Sequence, residues 1–430
     1  MKTLLRNMTG NTGGSQRALL LLISIGGLYA LSIALSNTFV NIYLWKQSGN
    51  YTDLAIYNLA QVILQPLTFL FAGRLAKKVD RVLVLRIGVI FLALFYLAVL
   101  MVGGASSQYL VLLGSLLGIG FGFYWLAFNV LTFEITEPDT RDFFNGFLGF
   151  ISSFSGMVGP LAAGYIIASM EQFTGYTTIF TTSLILFAGA VALSFLLLPR
   201  PASGRYEWKR IWTEQTYNKD WKRILNAHFF QGLREGTFIF AITLWVFIAT
   251  QSELAIGTFS LVHSSVALCF YYIAARYIPP TRRKLAILVA GAMMYASVLL
   301  LMFTLKFPLL MIYAVCTGIA YPVVMVPFAS LTYDVIGRGW RAADMRVEYV
   351  VIKELFLNAG RAVSILMFIV AVTAFSPTVS LPVLIGVIGS GHFLIYFCIR
   401  RIHTVTPTRD DDKKAVSDSW RMQENNADPR

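Results

Sequence analysis

From about residue 18 to residue 399, apolar stretches of membrane length alternate with short polar joints. A helix crossing a bilayer needs about 20 largely apolar residues. Twelve stretches meet that length, at 18–45, 54–73, 82–103, 108–133, 143–169, 177–198, 224–249, 254–277, 285–305, 308–333, 347–375 and 381–399. Six precede the longest internal polar stretch and six follow it, so the pattern predicts an all-α membrane protein of 12 transmembrane helices.

The two groups of six echo one another 200 positions apart. Asp53-Leu54-Ala55-Ile56 returns as Glu253-Leu254-Ala255-Ile256, and Leu44-Trp45 returns as Leu244-Trp245. Leu131-Thr132-Phe133-Glu134-Ile135 returns as Leu331-Thr332-Tyr333-Asp334-Val335, with Gly118-Ile119 and Phe128 in register with Gly318-Ile319 and Phe328. Two pseudo-symmetric six-helix bundles are expected, at 18–198 and 224–402, a design that places a solute site at the seam between repeats. Residues 199–223 read as a cytoplasmic connector whose Trp208, Trp212 and Trp221 sit at the lipid headgroups. Residues 1–17 read as a cytoplasmic N-terminus and 403–430 as a disordered cytoplasmic tail.

Composition agrees with burial in lipid, since 57% of residues are apolar and the mean hydropathy is +0.66. Soluble domains stand nearer 45–50% apolar. The net charge of +13 mainly reports topology. All but five of the 35 Lys and Arg fall on one side of the spans; Lys46 and Lys306 lie on the other, and Arg234, Lys353 and Arg361 lie within spans. The positive-inside rule then puts both termini in the cytoplasm of a multi-pass cell-membrane protein. No basic run stands beside stacking aromatics, which argues against a nucleic-acid partner. Cys269, Cys316 and Cys398 lack metal or disulfide spacing, and no phosphate-binding loop, zinc-protease motif or nucleophile elbow occurs. No cofactor, metal or enzymatic activity is therefore expected.

The loop Gly73-Arg74-Leu75-Ala76-Lys77-Lys78-Val79-Asp80-Arg81 resembles the signature between the second and third helices of the major facilitator superfamily. Gly73, Leu75, Lys78 and Arg81 match; Lys77 stands where the family has an acid and Asp80 where it has a second Gly. Gly156-Met157-Val158-Gly159-Pro160-Leu161-Ala162-Ala163-Gly164 resembles the Gly-Pro signature of many antiporters of that superfamily. The fourth span lacks the buried Arg that proton-driven drug exporters of the family usually carry. The resemblance implies a secondary transporter of small solutes working by alternating access, with efflux favoured over uptake.

Charges inside spans are costly and normally face a cavity or each other. Here they concentrate in the second half, with Arg234 and Glu235 in the seventh span and Glu348, Lys353, Glu354 and Arg361 in the eleventh. Glu354, Asn358 and Arg361 share one helical face. The expectation is a water-filled cavity bordered by these groups, with Glu235 or Glu354 accepting a coupling proton; permanent ion pairs between the two helices are the competing reading. Opposing charges nearly balance among the six, which points to neutral, zwitterionic or amphipathic cargo. Asn37, Asn41, Tyr124 and Trp125 are expected on the opposite wall, Tyr124 and Trp125 as stacking groups. On the cytoplasmic side Gly73, Asp80, Arg81, Glu134, Arg283 and Asp334 are expected to form a gate of ion pairs, with Glu134 beside Arg81 and Asp334 beside Arg283. Partners are then a small-molecule solute, a proton and the bilayer, and a monomer is expected. A non-transporting sensor or lipid-handling membrane protein is the alternative, though no catalytic cluster or signalling domain accompanies it.

Overall fold

The computed structural model describes residues 13–135, 138–171, 173–200, 204–302, 305–342 and 344–402, without the side chains of 13–16, 133–134 and 138–146. The regular elements are helical throughout: α1 (Gly13–Ser48), α2 (Tyr51–Lys78), α3 (Arg81–Val102), α4 (Leu110–Ile135), α5 (Pro138–Ser169) and α6 (Thr174–Phe195) precede the connector helix α7 (Trp208–Tyr217). After it come α8 (Lys219–Thr250), α9 (Glu253–Tyr277), α10 (Arg283–Leu301), α11 (Phe307–Gly337), α12 (Arg346–Ala374), and α13 (Pro377–Gly389) continued by α14 (Gly391–Ile399). Twelve segments are long and apolar enough to cross a membrane, six on each side of α7. The expectation of two six-helix bundles thus holds.

Helices run past the apolar stretches because their ends are capped. Asn50 accepts from the Thr52 amide to start α2, and Asp80 accepts from the amides of Val82 and Leu83 to start α3. Capping satisfies amides that have no partner within the helix. Residues 74–78, polar enough to read as loop, are the last turn of α2, closed by the Val79 amide on the Leu75 carbonyl. Similarly, Asn218 caps α8, which draws Trp221 into that helix. Trp221 is fully buried and packs edge-on against Tyr349 with ring centres 4.9 Å apart, so the expected headgroup anchor is a core residue. Trp212 remains exposed.

The internal repeat reaches atomic detail. Thr132 donates to the Phe128 carbonyl at 2.8 Å in α4, and Thr332 donates to the Phe328 carbonyl at 2.9 Å in α11. Between the bundles, α2 packs along α12 and α5 along α9. The Gly-Pro segment lies in the second of these seams: Ser264 donates to the Gly156 carbonyl, a Cβ on Gly257 would meet the Pro160 carbonyl, and Gly164 abuts the backbone of Glu253. Small residues allow such approach where lipid supplies no hydrophobic drive between helices.

Within the second bundle α8 and α12 cross at backbone contact. A side chain on Gly232 would strike the Leu357 carbonyl, and one on Gly360 would strike the Phe229 carbonyl. This crossing fixes which charged groups of the two helices can meet.

Candidate functional site

A cavity of 530 Å³ lies between the bundles, walled by α1 and α5 on one side and by α8, α9, α10, α11 and α12 on the other. Ile33, Asn37 and Pro160 face it from the first bundle, and Arg234, Glu235 and Arg361 from the second. Arg361 donates to Glu235 Oε2 at 2.6 Å across the α8–α12 crossing, and Gln231 donates to Glu235 Oε1 at 2.9 Å. Next to Glu235 on α8, Arg234 donates from Nη2 to the Tyr313 hydroxyl at 2.9 Å and lies 4.7 Å over the Phe238 ring.

Three of the six charges expected at the cavity border it, and three do not. Lys353 pairs with Glu354 at 3.0 Å on α12, away from the cavity lining, and Glu348 sits at the connector end of α12. Asn358 is buried, donating to the Glu354 carbonyl and accepting from Arg361 at 3.3 Å. The shared face of Glu354, Asn358 and Arg361 is therefore real, but its first two members brace α12. The expected balance of charge fails with it: among the described residues the lining holds two arginines against one carboxylate.

In the first bundle Asn37 lines the cavity, while Asn41 is buried and accepts from Asn58 at 2.8 Å. Asn41 is consumed in an α1–α2 contact and lines no wall of the cavity. Tyr124 stacks on Tyr29 with ring centres 4.0 Å apart, and Trp125 meets Tyr29 edge-on at 5.4 Å. Both border a second recess of 340 Å³ that shares Ile33, Ala34 and Gly156 with the main cavity. One face of Tyr124 is thereby occupied by protein.

The expected gate is arranged differently. Arg283 and Asp334 do pair, at 2.8 Å, but both belong to the second bundle and close no gap between bundles. Asp80 serves as the α3 cap and also accepts from the Arg200 amide at 3.0 Å, which ties the loop to the end of the first bundle. Arg81 donates its amide to the Arg200 carbonyl. Gly73 leaves room for Tyr206 of the connector. Glu134 lies outside the described side chains.

Two ion pairs that join the bundles were not anticipated from sequence. Lys77 at the end of α2 donates to Glu348 Oε1 in the first turn of α12 at 2.6 Å, and also to the Asp344 carbonyl at 2.8 Å and the Arg205 carbonyl at 3.4 Å. Glu348 is fully buried and takes a further bond from the Glu207 amide at 3.2 Å. The same carboxylate raises the ionisation range of the Tyr206 phenol, after burial, the larger cause. At the opposite face Lys46, at the end of α1, donates to Glu253 Oε1 in the first turn of α9 at 2.6 Å, and Tyr176 of α6 donates to the same oxygen at 2.8 Å. Signals for both existed in the sequence: Lys77 reverses the sign of the family signature, and Lys46 is a rare basic residue on its side. His263 also lines the cavity, with Nδ1 3.3 Å from the Ala314 carbonyl.

Among known proteins, a Bacillus subtilis (strain 168) protein described as "Uncharacterized protein YqgE" is 56% identical over 386 residues, covering 90% of each chain. A Geobacillus stearothermophilus protein described as "Uncharacterized protein in sodM 3′ region" is 62% identical over 192 residues, which is 44% of this chain and 90% of that one. The crystal structure of the human organic anion transporter MFSD10 (TETRAN) shares the fold, with a TM-score of 0.62 at 15% identity over 90% of this chain and 100% of the other. The Major Facilitator Superfamily itself matches residues 19–347. The chain thus belongs to the Major Facilitator Superfamily, membership of which implies solute transport by a multi-pass membrane protein that is typically not an enzyme.

Proposed function

We propose that the protein is a proton-coupled secondary transporter that alternately opens the central cavity to either side of the cell membrane. The observation that carries this reading is the pair of inter-bundle locks, Lys77–Glu348 at the connector face and Lys46–Glu253 at the opposite face. A rocking motion that exposes the cavity on one face must part the lock there while the other holds. The Lys and Arg bias assigns the connector face to the cytoplasm.

Glu235 is the proton-accepting group in this account. Among the described residues it is the carboxylate that lines the cavity, whereas Glu354 is engaged by Lys353 outside it. As an anion Glu235 holds Arg361 across the α8–α12 crossing. Protonation removes that attraction and releases Arg361 into the cavity, so proton binding and cavity shape are linked through one ion pair. One proton moving down 100 mV supplies about 2.3 kcal/mol. The Gly-Pro segment in the α5–α9 seam favours export by exchange with protons, and a single chain supplies both cavity walls.

The test is proton flux into liposomes loaded with a pH-sensitive dye, on addition of a panel of small organic solutes. At least one solute should change internal pH through the wild-type protein, and Glu235→Gln should abolish the pH change while leaving gradient-independent solute exchange. Full coupling in a folded Glu235→Gln protein ends the assignment of Glu235. Solute-insensitive behaviour across the panel ends the transport reading.

A further inference from the structure

The second cation of the cavity has no carboxylate to answer it. Arg361 is matched by Glu235, whereas Arg234, with only 5% of its surface exposed, has no carboxylate within ion-pair distance among the described residues. Its recorded partners are one hydroxyl, that of Tyr313, and one aromatic face, that of Phe238, and its Nε makes no hydrogen bond. A guanidinium carries five donors in a rigid fork shaped for the two oxygens of a carboxylate or related oxyanion. Withdrawing such a cation from water without a counter-charge is strongly unfavourable, and more so at the depth of a bilayer. A structural role between helices would be met by an acid on a neighbouring helix, as Arg361 is met.

We infer that Arg234 is the anchor for the anionic headgroup of the transported solute, and that the solute is an organic monoanion with an apolar body. Three features of the cavity define that class. Among the described residues the lining carries one uncompensated positive charge, since Arg234 and Arg361 face Glu235 alone, which suits one negative charge better than several. Tyr313, whose oxygen accepts from Arg234, keeps its own proton available to a second oxygen of the ligand. The same lining also holds apolar side chains, with Pro160, Ile239, Ile242, Phe259 and Met294 offering contact to a hydrocarbon or aromatic body. The volume of 530 Å³ falls within the range of about 300–1,000 Å³ usual for small-molecule sites. Phe238 covers the guanidinium at 4.7 Å, which helps hold it in place by a cation–π contact.

The inference rests on the transport reading for its word "transported", but the site is testable by equilibrium binding alone. Purified full-length protein in lipid nanodiscs is titrated with 2-naphthoate, its neutral twin 2-naphthamide and the cationic 2-naphthylmethylamine. Wild type should bind the carboxylate at least tenfold more tightly than the amide and the amine least. Arg234→Gln should bring carboxylate and amide within about twofold of each other without weakening the amide, and Arg234→Lys should restore part of the preference. Equal affinity for carboxylate and amide in wild type overturns the inference, as does preference for the amine, binding of none of the three, or a preference that survives Arg234→Gln. The wild-type contrast decides the matter without any variant, so a misfolded Arg234→Gln protein does not shelter the idea. Anion-selective binding without flux in liposomes overturns the transport reading alone, and flux without anion selectivity overturns this inference alone.

Discussion

Replacing Lys77 with Met tests the connector-face lock through the charge it leaves behind. Glu348 is fully buried, and without Lys77 its carboxylate keeps a single recorded bond, from the Glu207 amide. Breaking a buried pair by removing one partner costs about 3–5 kcal/mol, because the remaining charge stays desolvated. That cost applies only while the face is shut; opening it gives Glu348 access to water. At 1.4 kcal/mol per tenfold, even 3 kcal/mol corresponds to a shift of about 150-fold toward the state open at this face. Met345 reports the change, since its sulfur lies 3.9 Å from the Lys77 ammonium and 3% of the residue is exposed. In a background lacking Cys269, Cys316 and Cys398, a Met345→Cys probe should react with a membrane-impermeant maleimide at least about 150-fold faster when Lys77→Met is added, the lower limit following from the same conversion. The apolar pair Lys77→Met with Glu348→Met should return the rate toward its starting value, because it removes the stranded charge. A folded Lys77→Met protein that labels within about twofold of its parent refutes the reasoning, and so does a loss of thermal stability with no gain in labelling.

At the other face, Glu253→Gln should bias the protein the opposite way, but by about fivefold only, because Lys46 is one-third exposed and such pairs are worth about 1 kcal/mol; maleimide labelling of a cysteine placed at Tyr176 measures it. Gly232→Ala puts a methyl group onto the Leu357 carbonyl at the α8–α12 crossing and should lower thermal stability by about 1–3 kcal/mol. Gly149→Ala, with nothing near the added methyl, should leave stability unchanged or raise it by up to about 1 kcal/mol. Arg283→Gln removes an ion pair internal to one bundle, one side of it half-exposed, so solute flux should change by less than about twofold.

Much of the fold was legible because lipid imposes a length and polarity rule on every span. The twelve spans, the division around α7 and the 200-residue echo follow from that rule applied to this chain. Helix ends were misplaced where side-chain caps extend a helix through polar residues, as Asn50 and Asn218 do. Trp221 was misread for that reason: its basic neighbours mark an interface, while its register on α8 turns it to Tyr349.

The site was legible in kind more than in arrangement. Helical spacing identifies Glu354, Asn358 and Arg361 as one face, but which of them meets Glu235 depends on how deeply α8 and α12 interlock at Gly232 and Gly360. That depth selects Arg361 and leaves Arg234 unanswered, reversing the expectation of a charge-balanced cavity. The locks are contacts between residues 207 and 271 positions apart, and no local pattern pairs them. Lys77 nonetheless carried a usable sign, because a lysine in place of the usual acid calls for an acid opposite, and Glu348 in the first turn of α12 supplies it.

Alternating access is measured most directly by pulsed electron–electron distance measurement with two pairs of spin labels, Val79 with Gly337 across the connector face and Tyr109 with Phe375 across the other. All four positions are exposed and lie on different bundles within each pair. The account predicts opposite responses: Lys77→Met lengthens the connector-face distance and leaves the other short, and Glu253→Gln lengthens the second while the first stays short. Lengthening of both pairs together, or no movement of either in folded protein, contradicts it.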